Sequence, residues 1–148
     1  MASIVKATDK HFQLLARIGK KTLLESHGES AAPTDLTAYV NKKFSPDAIA
    51  EELRDNKSTF HIIYHLEEPV GYSKIILNAP DPNLGLHNAT KLERLYLLEK
   101  FHGLKLALKL FKFNVEISKE NKKAGMWLFV WKENHRALNF YKKPGLKL

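Results

Sequence analysis

The sequence contains no cysteine, which excludes disulfides, zinc–thiolate centres and a thiol nucleophile. No run of about 18 uninterrupted apolar residues occurs, and that excludes a membrane-spanning helix on sequence grounds. The first ten residues, MASIVKATDK, lack the basic-then-apolar layout of a secretion signal. Seven glycines and six prolines in 148 residues form no low-complexity tract, repeat or linker. The expectation is a single cytoplasmic domain over residues 1–148. Acidic residues are also scarce: 16 Asp and Glu stand against 24 Lys and Arg, a net charge of +8. Such a balance suits an anionic partner, either nucleic acid or a polyphosphorylated cofactor. Charge alone does not choose between them, and a lysine-covered surface without any such partner would look the same.

What is present is ordinary for a globular chain, with 44% apolar and 27% charged residues. Ser3 to Ala7 reads as a first strand. Thr8 or Asp9 then caps a helix in which Phe12, Leu15, Ile18, Leu23 and Leu24 recur at helical spacing, ending near Gly28. ESAAPTD reads as a loop, a second helical region begins near Thr34, and FSPDAIAEEL restarts a helix with Ser45 as cap and Pro46 in the first turn. STFHIIYHL and VGYSKIIL flank EEP as an antiparallel hairpin, followed by the surface loop NAPDPNLGLHNAT. KLERLYLLEKFHGLKLALKLF predicts a fourth strand running through a turn into a long helix from about Leu104 to Glu120. GMWLFVW predicts a fifth strand, and Asn134 and Gly145 bound a last helix. This order predicts an α/β (α+β) fold, a sheet covered by helices, with strands four and five joined by a right-handed crossover.

In the long helix, Leu104, Leu108, Phe111 and Val115 form one apolar stripe and Leu106, Leu110, Phe113 and Ile117 an opposite one. Lys105, Lys109, Lys112 and Lys119 fall between them. Such a helix is expected to be covered on both sides. In the fourth strand, the period of two places Lys91, Glu93, Leu95 and Leu97 on one face and Arg94 and Tyr96 on the other. The histidines, among them His61, His65 and His102, show no paired spacing with carboxylates, so no metal is expected.

Two linked motifs carry a resemblance. The turn His102-Gly103-Leu104-Lys105-Leu106-Ala107 is similar to the (Gln/Arg)-x-x-Gly-x-(Gly/Ala) turn of the GNAT superfamily of N-acetyltransferases. Lys105 stands in a glycine place, which a negative φ would tolerate. WKENHRALNFYKKPGL resembles the superfamily's later pattern at Asn134, Ala137, Phe140, Tyr141, Lys143 and Gly145. A capping Asn and an amphipathic helix explain several of those residues, but not a Phe-Tyr pair at that distance. The N-terminal helices are similar to a bacterial branch that includes polyamine N-acetyltransferases.

The resemblance implies a three-layer α/β/α fold with a mixed, centrally splayed sheet. It implies acetyl-CoA as co-substrate and a small-molecule amine, possibly a polyamine, as acceptor. The pyrophosphate would rest on the backbone of residues His102, Gly103, Leu104, Lys105, Leu106 and Ala107. The pantetheine arm would lie along Leu95, Tyr96 and Leu97, with the Leu97 N–H facing the thioester oxygen and Asn134 nearby. Tyr141 would protonate the departing thiolate and Glu93 would serve as base through water. Each has a plainer alternative: Tyr141 as a half-buried aromatic, Glu93 as the partner of a basic residue. Glu25, Glu29, Asp35, Tyr39 and Phe44 would wall the acceptor site. Comparable enzymes continue through two more strands beyond the point where this chain ends at Leu148. The sheet is therefore expected to lack its last one or two strands, leaving an edge that a second copy could cover as a homodimer. A CoA-binding or interaction protein without turnover is one alternative function, and a basic nucleic-acid-binding domain is another. The latter would need aromatic residues interleaved with Lys and Arg on an exposed face, which the lysines of the long helix lack.

Overall fold

The computed structural model describes residues 2–27, 33–81, 83 and 85–128. Five strands, β1 (Ala2–Lys6), β2 (Ser58–His65), β3 (Glu68–Ile76), β4 (Ala89–Leu97) and β5 (Gly125–Trp127), form one sheet in sequence order. The first four are antiparallel neighbours, and β5 joins β4 in parallel. Among the described residues four helices accompany them: α1 (Phe12–His27), α2 (Pro33–Lys43), α3 (Pro46–Arg54) and α4 (Leu106–Glu120).

The middles of β2 and β3 are buried continuously because both faces of the sheet are covered. On one face Phe60, Ile62 and Tyr72 pack with Leu15 and Ile18 of α1, Val40 of α2, Phe44, and Ile49 of α3. On the other, Ile63, Val70 and Leu97 meet Leu106 and Leu110, while Ile75 and Leu92 meet Phe111. The result is the expected three-layer α/β/α arrangement with a mixed sheet.

Local chemistry sets the entries. Thr8 caps a 3-10 turn, Asp9–His11, that leads into α1, and the His11 ring returns a bond to the Thr8 N–H. Ser45 accepts from the Ala48 N–H, with Pro46 following in the first turn of α3. The β2–β3 hairpin turns through Leu66 and Glu67, both at positive φ (50° and 68°). Two such residues give the turn twist that matches paired strands, although glycine or asparagine is the usual occupant. Phe44 is a core residue, packed against Gly19 of α1.

The long helix differs from its expected form in two ways. It begins at Leu106, leaving Leu104 outside it and about half exposed, and Phe113 also reaches solvent. The two opposed stripes are thus replaced by one buried seam of Leu106, Leu110, Phe111, Asn114 and Ser118. Two of those residues are polar and bonded to the sheet. Asn114 Nδ2 donates to Ser73 Oγ at 2.9 Å, and Ser118 and Thr90 share a hydroxyl bond of 2.7 Å. These rungs explain why two polar residues can be buried in the seam: the Asn114 amide nitrogen and the Ser118 hydroxyl each find a polar partner on β3 or β4.

Candidate active site

Strand β4 organises the site. Leu98 N–H donates to Val70 O on β3 at 2.8 Å, so Val70 and Leu98 are a bonded antiparallel pair. The bonded and non-bonded pairs alternate, and the register matches Leu97 to Gly71, Tyr96 to Tyr72 and Leu95 to Ser73. The backbone groups of Leu95 and Leu97 therefore leave β4 on the side away from β3, whereas those of Tyr96 are turned toward β3. On that far side β5 pairs only with Ala89, Thr90 and Lys91. From Leu92 onward, the edge has no strand beside it among the described residues. Gly71 lets β3 approach this closely: a Cβ there would lie 2.5 Å from Tyr96 O and 2.8 Å from a Leu97 methyl.

The strand leaves the sheet through a 3-10 turn, Glu99–Phe101, and returns as α4. His102 Nε2 lies 2.9 Å from Leu97 O, so the ring donates to the carbonyl on the open edge and leaves the Leu97 N–H free of it. Among the described residues, the buried His102 Nδ1 has no partner. Gly103 has φ +90° with open space where a Cβ would point. Lys105 has φ 60° and ψ 19°, a left-handed conformation rather than the negative φ expected of a lysine in a glycine place. It precedes α4 without a side-chain cap, and the first turn carries no acidic residue. Several amides at this helix start thus have no capping partner, and the helix dipole favours negative charge there. An exposed Lys105 adds its ammonium. Main-chain donors, a positive φ pair and no competing carboxylate suit a diphosphate.

The face toward α1–α3 carries the titratable groups. Lys74 of β3 is matched to Arg94, but the next pair is Ile75 with Leu92, so Glu93 is an extra residue, a β-bulge. The bulge corrects the expected facing. Leu92, Leu95 and Leu97 all pack on the α4 side, while Glu93 bonds Lys91 at 2.8 Å. Burial pushes the Glu93 carboxyl up, but the Lys91 hydrogen bond and charge, with Lys74 and Arg94 adding, hold it below the usual carboxylate range. Arg94 and Lys74 both reach Glu52 Oε1, at 2.8 and 2.5 Å. Tyr96 tilts against Tyr72 at 6.0 Å, and burial raises its phenol despite the nearby Arg94 charge, with Tyr39 and Glu93 adding to the rise. Tyr39 is exposed and accepts from Lys43 Nζ at 3.1 Å. Glu25, near the end of α1, accepts the Glu99 N–H at 2.9 Å, which brings the acidic end of α1 to the exit of β4. Among the described residues no three His, Asp or Glu side chains converge as a metal site would need. Glu29, Asn134 and Tyr141 lie outside the described residues.

Among the described residues, the geometry pairs a strand edge that has no neighbour beyond Lys91 with a helix start that lacks a side-chain cap. The sequence profile of the acetyltransferase (GNAT) family matches residues 23–146, most of the chain. The chain belongs to the GNAT acetyltransferase family. An uncharacterized N-acetyltransferase from the pepI 3' region of Lactobacillus delbrueckii subsp. lactis is 29% identical over 143 residues, covering 97% of this chain and 83% of that protein. One from Mycobacterium bovis is 28% identical over 134 residues, covering 90% and 81%. Among solved structures, the PaiA N-acetyltransferase of Thermoplasma acidophilum in complex with coenzyme A superposes with a TM-score of 0.85. It shares 18% identity, over 100% of this chain and 91% of that one. A complex of the aminoglycoside N-acetyltransferase AAC(6')-Iy with CoA gives 0.71 at 13% identity, over 100% and 89%. This GNAT protein is accordingly an acetyl-CoA-dependent N-acetyltransferase.

The sequence reading missed the bulge at Glu93, the shared partner of Lys74 and Arg94, and the bond from His102 to Leu97. Only the bulge left a trace. Leu92, Leu95 and Leu97 cannot share a face under strict alternation, so three apolar residues at that spacing call for one extra residue.

Proposed function

We propose that this GNAT enzyme moves the acetyl group of acetyl-CoA directly to a primary amine in a ternary complex, and that the amine is a cationic small molecule such as a polyamine. The observation that carries the reading is the turn Gly103–Ala107, without a side-chain cap, beside a stretch of β4 that has no neighbouring strand at Leu97 among the described residues. The pyrophosphate would take the amides of Gly103 to Ala107, and the pantetheine arm the backbone of Leu95 and Leu97. The Leu97 N–H, directed away from β3, would then meet the thioester oxygen as charge develops on it.

The amine nitrogen attacks the thioester carbon, the C–S bond breaks, and two protons move. One leaves the ammonium, whose ordinary pKa of ~10.4 keeps it charged at pH 7. Glu93 is ionised at that pH and would orient the water that takes this proton on to solvent. The other proton goes from the Tyr141 phenol to the thiolate. Glu25 at the β4 exit supports a cationic acceptor, with Glu29 and Tyr39 as further contacts.

The test is a heat shift with acetyl-CoA followed by thiol release with spermidine, an aminoglycoside and an amino-terminal alanine peptide. Stabilisation by acetyl-CoA with turnover of spermidine is expected. No heat shift would remove the cofactor assignment, and turnover of the peptide alone would remove the polyamine. Tyr141→Phe is expected to lower kcat at least about tenfold with acetyl-CoA affinity nearly unchanged; lost affinity at unchanged kcat would contradict the acid role.

A further inference from the structure

Two cations converge on one carboxylate oxygen in the middle of this molecule. Lys74 Nζ and Arg94 Nη2 lie 2.5 and 2.8 Å from Glu52 Oε1, and both basic side chains are largely buried. Aromatic rings back them, Phe60 under Lys74 at 5.5 Å and Phe44 under Arg94 at 5.1 Å. The buried Tyr72 hydroxyl interacts with Arg94 on the same face. The position in the register is the telling fact. Lys74 and Arg94 face each other as the last matched pair before the register shifts, and the unmatched residue is Glu93. Glu52 therefore grips both strands from α3 at the point where the bulge starts.

We propose that Glu52 is a positioning residue for the acetyl-transfer reaction: by holding Lys74 and Arg94 together it fixes the β4 bulge, and through it the place of the Glu93 carboxylate. Two adjacent cations in a low-dielectric layer repel each other unless an anion lies between them. Without that carboxylate the matched pair loses its tie to α3, and the strand can move its extra residue along by one position. Such a slip would turn Glu93 away while Leu95 and Leu97 keep their register with β3. The catalytic part of this inference rests on Glu93 acting as proposed above; the structural part does not.

Two variants test it: Glu52→Gln, and a charge-free triple, Glu52→Leu with Lys74→Met and Arg94→Met. The triple replaces the ions by apolar groups, which commonly preserves stability, so it separates loss of position from loss of fold. Amide hydrogen exchange on the whole chain is read at Glu93 and Arg94, with Ile62 and Ile63 of β2 as reference. Exchange at the bulge is expected to rise about tenfold or more in both variants, with β2 unchanged in the triple. With spermidine as acceptor, kcat is expected to fall about tenfold while KM for acetyl-CoA stays within about threefold, because Leu95, Leu97 and the turn at Gly103 take no part in the clamp. Unchanged exchange at the bulge, or a rise spread equally over β2 and β4, would overturn the proposal. So would a triple variant whose kcat equals that of the native enzyme. A Glu93→Gln variant with full turnover would instead remove the base assignment and leave the clamp standing on its exchange signature.

Discussion

Lys105 stands where the family turn has glycine, and it does so at φ 60°. A side chain in the left-handed region costs about 1–2 kcal/mol. Replacement by glycine recovers that strain but loosens the unfolded chain, which costs about 0.4–1 kcal/mol. The balance for Lys105→Gly is a gain of about 0.5–1 kcal/mol, or about 1–4 °C in Tm for a chain of this size. The effect on CoA runs the other way. An ammonium about 5 Å from a phosphate charge in water contributes about 0.8 kcal/mol, and physiological salt removes up to about half of it. The variant should therefore bind CoA about two- to fourfold more weakly at low salt, with the difference shrinking as salt is added. Melting curves without ligand give the first quantity and calorimetric titration at two ionic strengths gives the second. A Tm below that of the native chain would refute the strain argument. A Kd for CoA that is unchanged at both ionic strengths would take the ammonium out of the diphosphate's surroundings.

Gly71→Ala forces a methyl against Tyr96 O and Leu97, a contact the paired backbones cannot relieve. A loss of about 1–3 kcal/mol is expected, read as a fall in Tm of several degrees; an unchanged melt would mean that β3 and β4 part freely there. In the hairpin, Leu66→Asn with Glu67→Gly puts preferred residues at two positive-φ positions and should raise stability by about 1 kcal/mol or more in the same assay. For pH, burial and the Lys6 charge lower the His61 pKa to about 4. The unfolded chain thus takes a proton near pH 6.5 that the folded one refuses, and stability drains away as pH falls from about 6.5 toward 4. His61→Leu should accordingly lose less Tm than the native chain between pH 7 and pH 5, and equal losses in both would show that His61 is not responsible.

Much of the architecture was legible because apolar runs and caps are local signals. Ser45 with Pro46, Thr8, and the strands STFHIIYHL and VGYSKIIL each announce their own structure within a few residues. The turn at Gly103 was legible as a place, but not as a conformation, since the chain puts lysine at a backbone angle that favours glycine. Phe113 was read as core and reaches solvent, while Asn114 was read past and is fully buried. A hydrophobicity pattern cannot see that Ser73, 41 residues earlier, supplies the partner that makes an asparagine acceptable inside. Likewise, nothing near Arg94 points to Glu52. Attraction between groups so far apart in sequence becomes visible only once the strands are in register.

The division of labour along the chain has a consequence of its own. Among the described residues, those proposed for the nucleotide thiol all fall between 95 and 107 and would grip chiefly through main-chain atoms. Those described on the acceptor side are side chains drawn from separate helices and from β4. Substitutions scattered over α1 and α2 can thus retune which amine is welcomed while the handle for the acetyl donor stays as it is. A lineage built this way can change its clientele by point mutation alone.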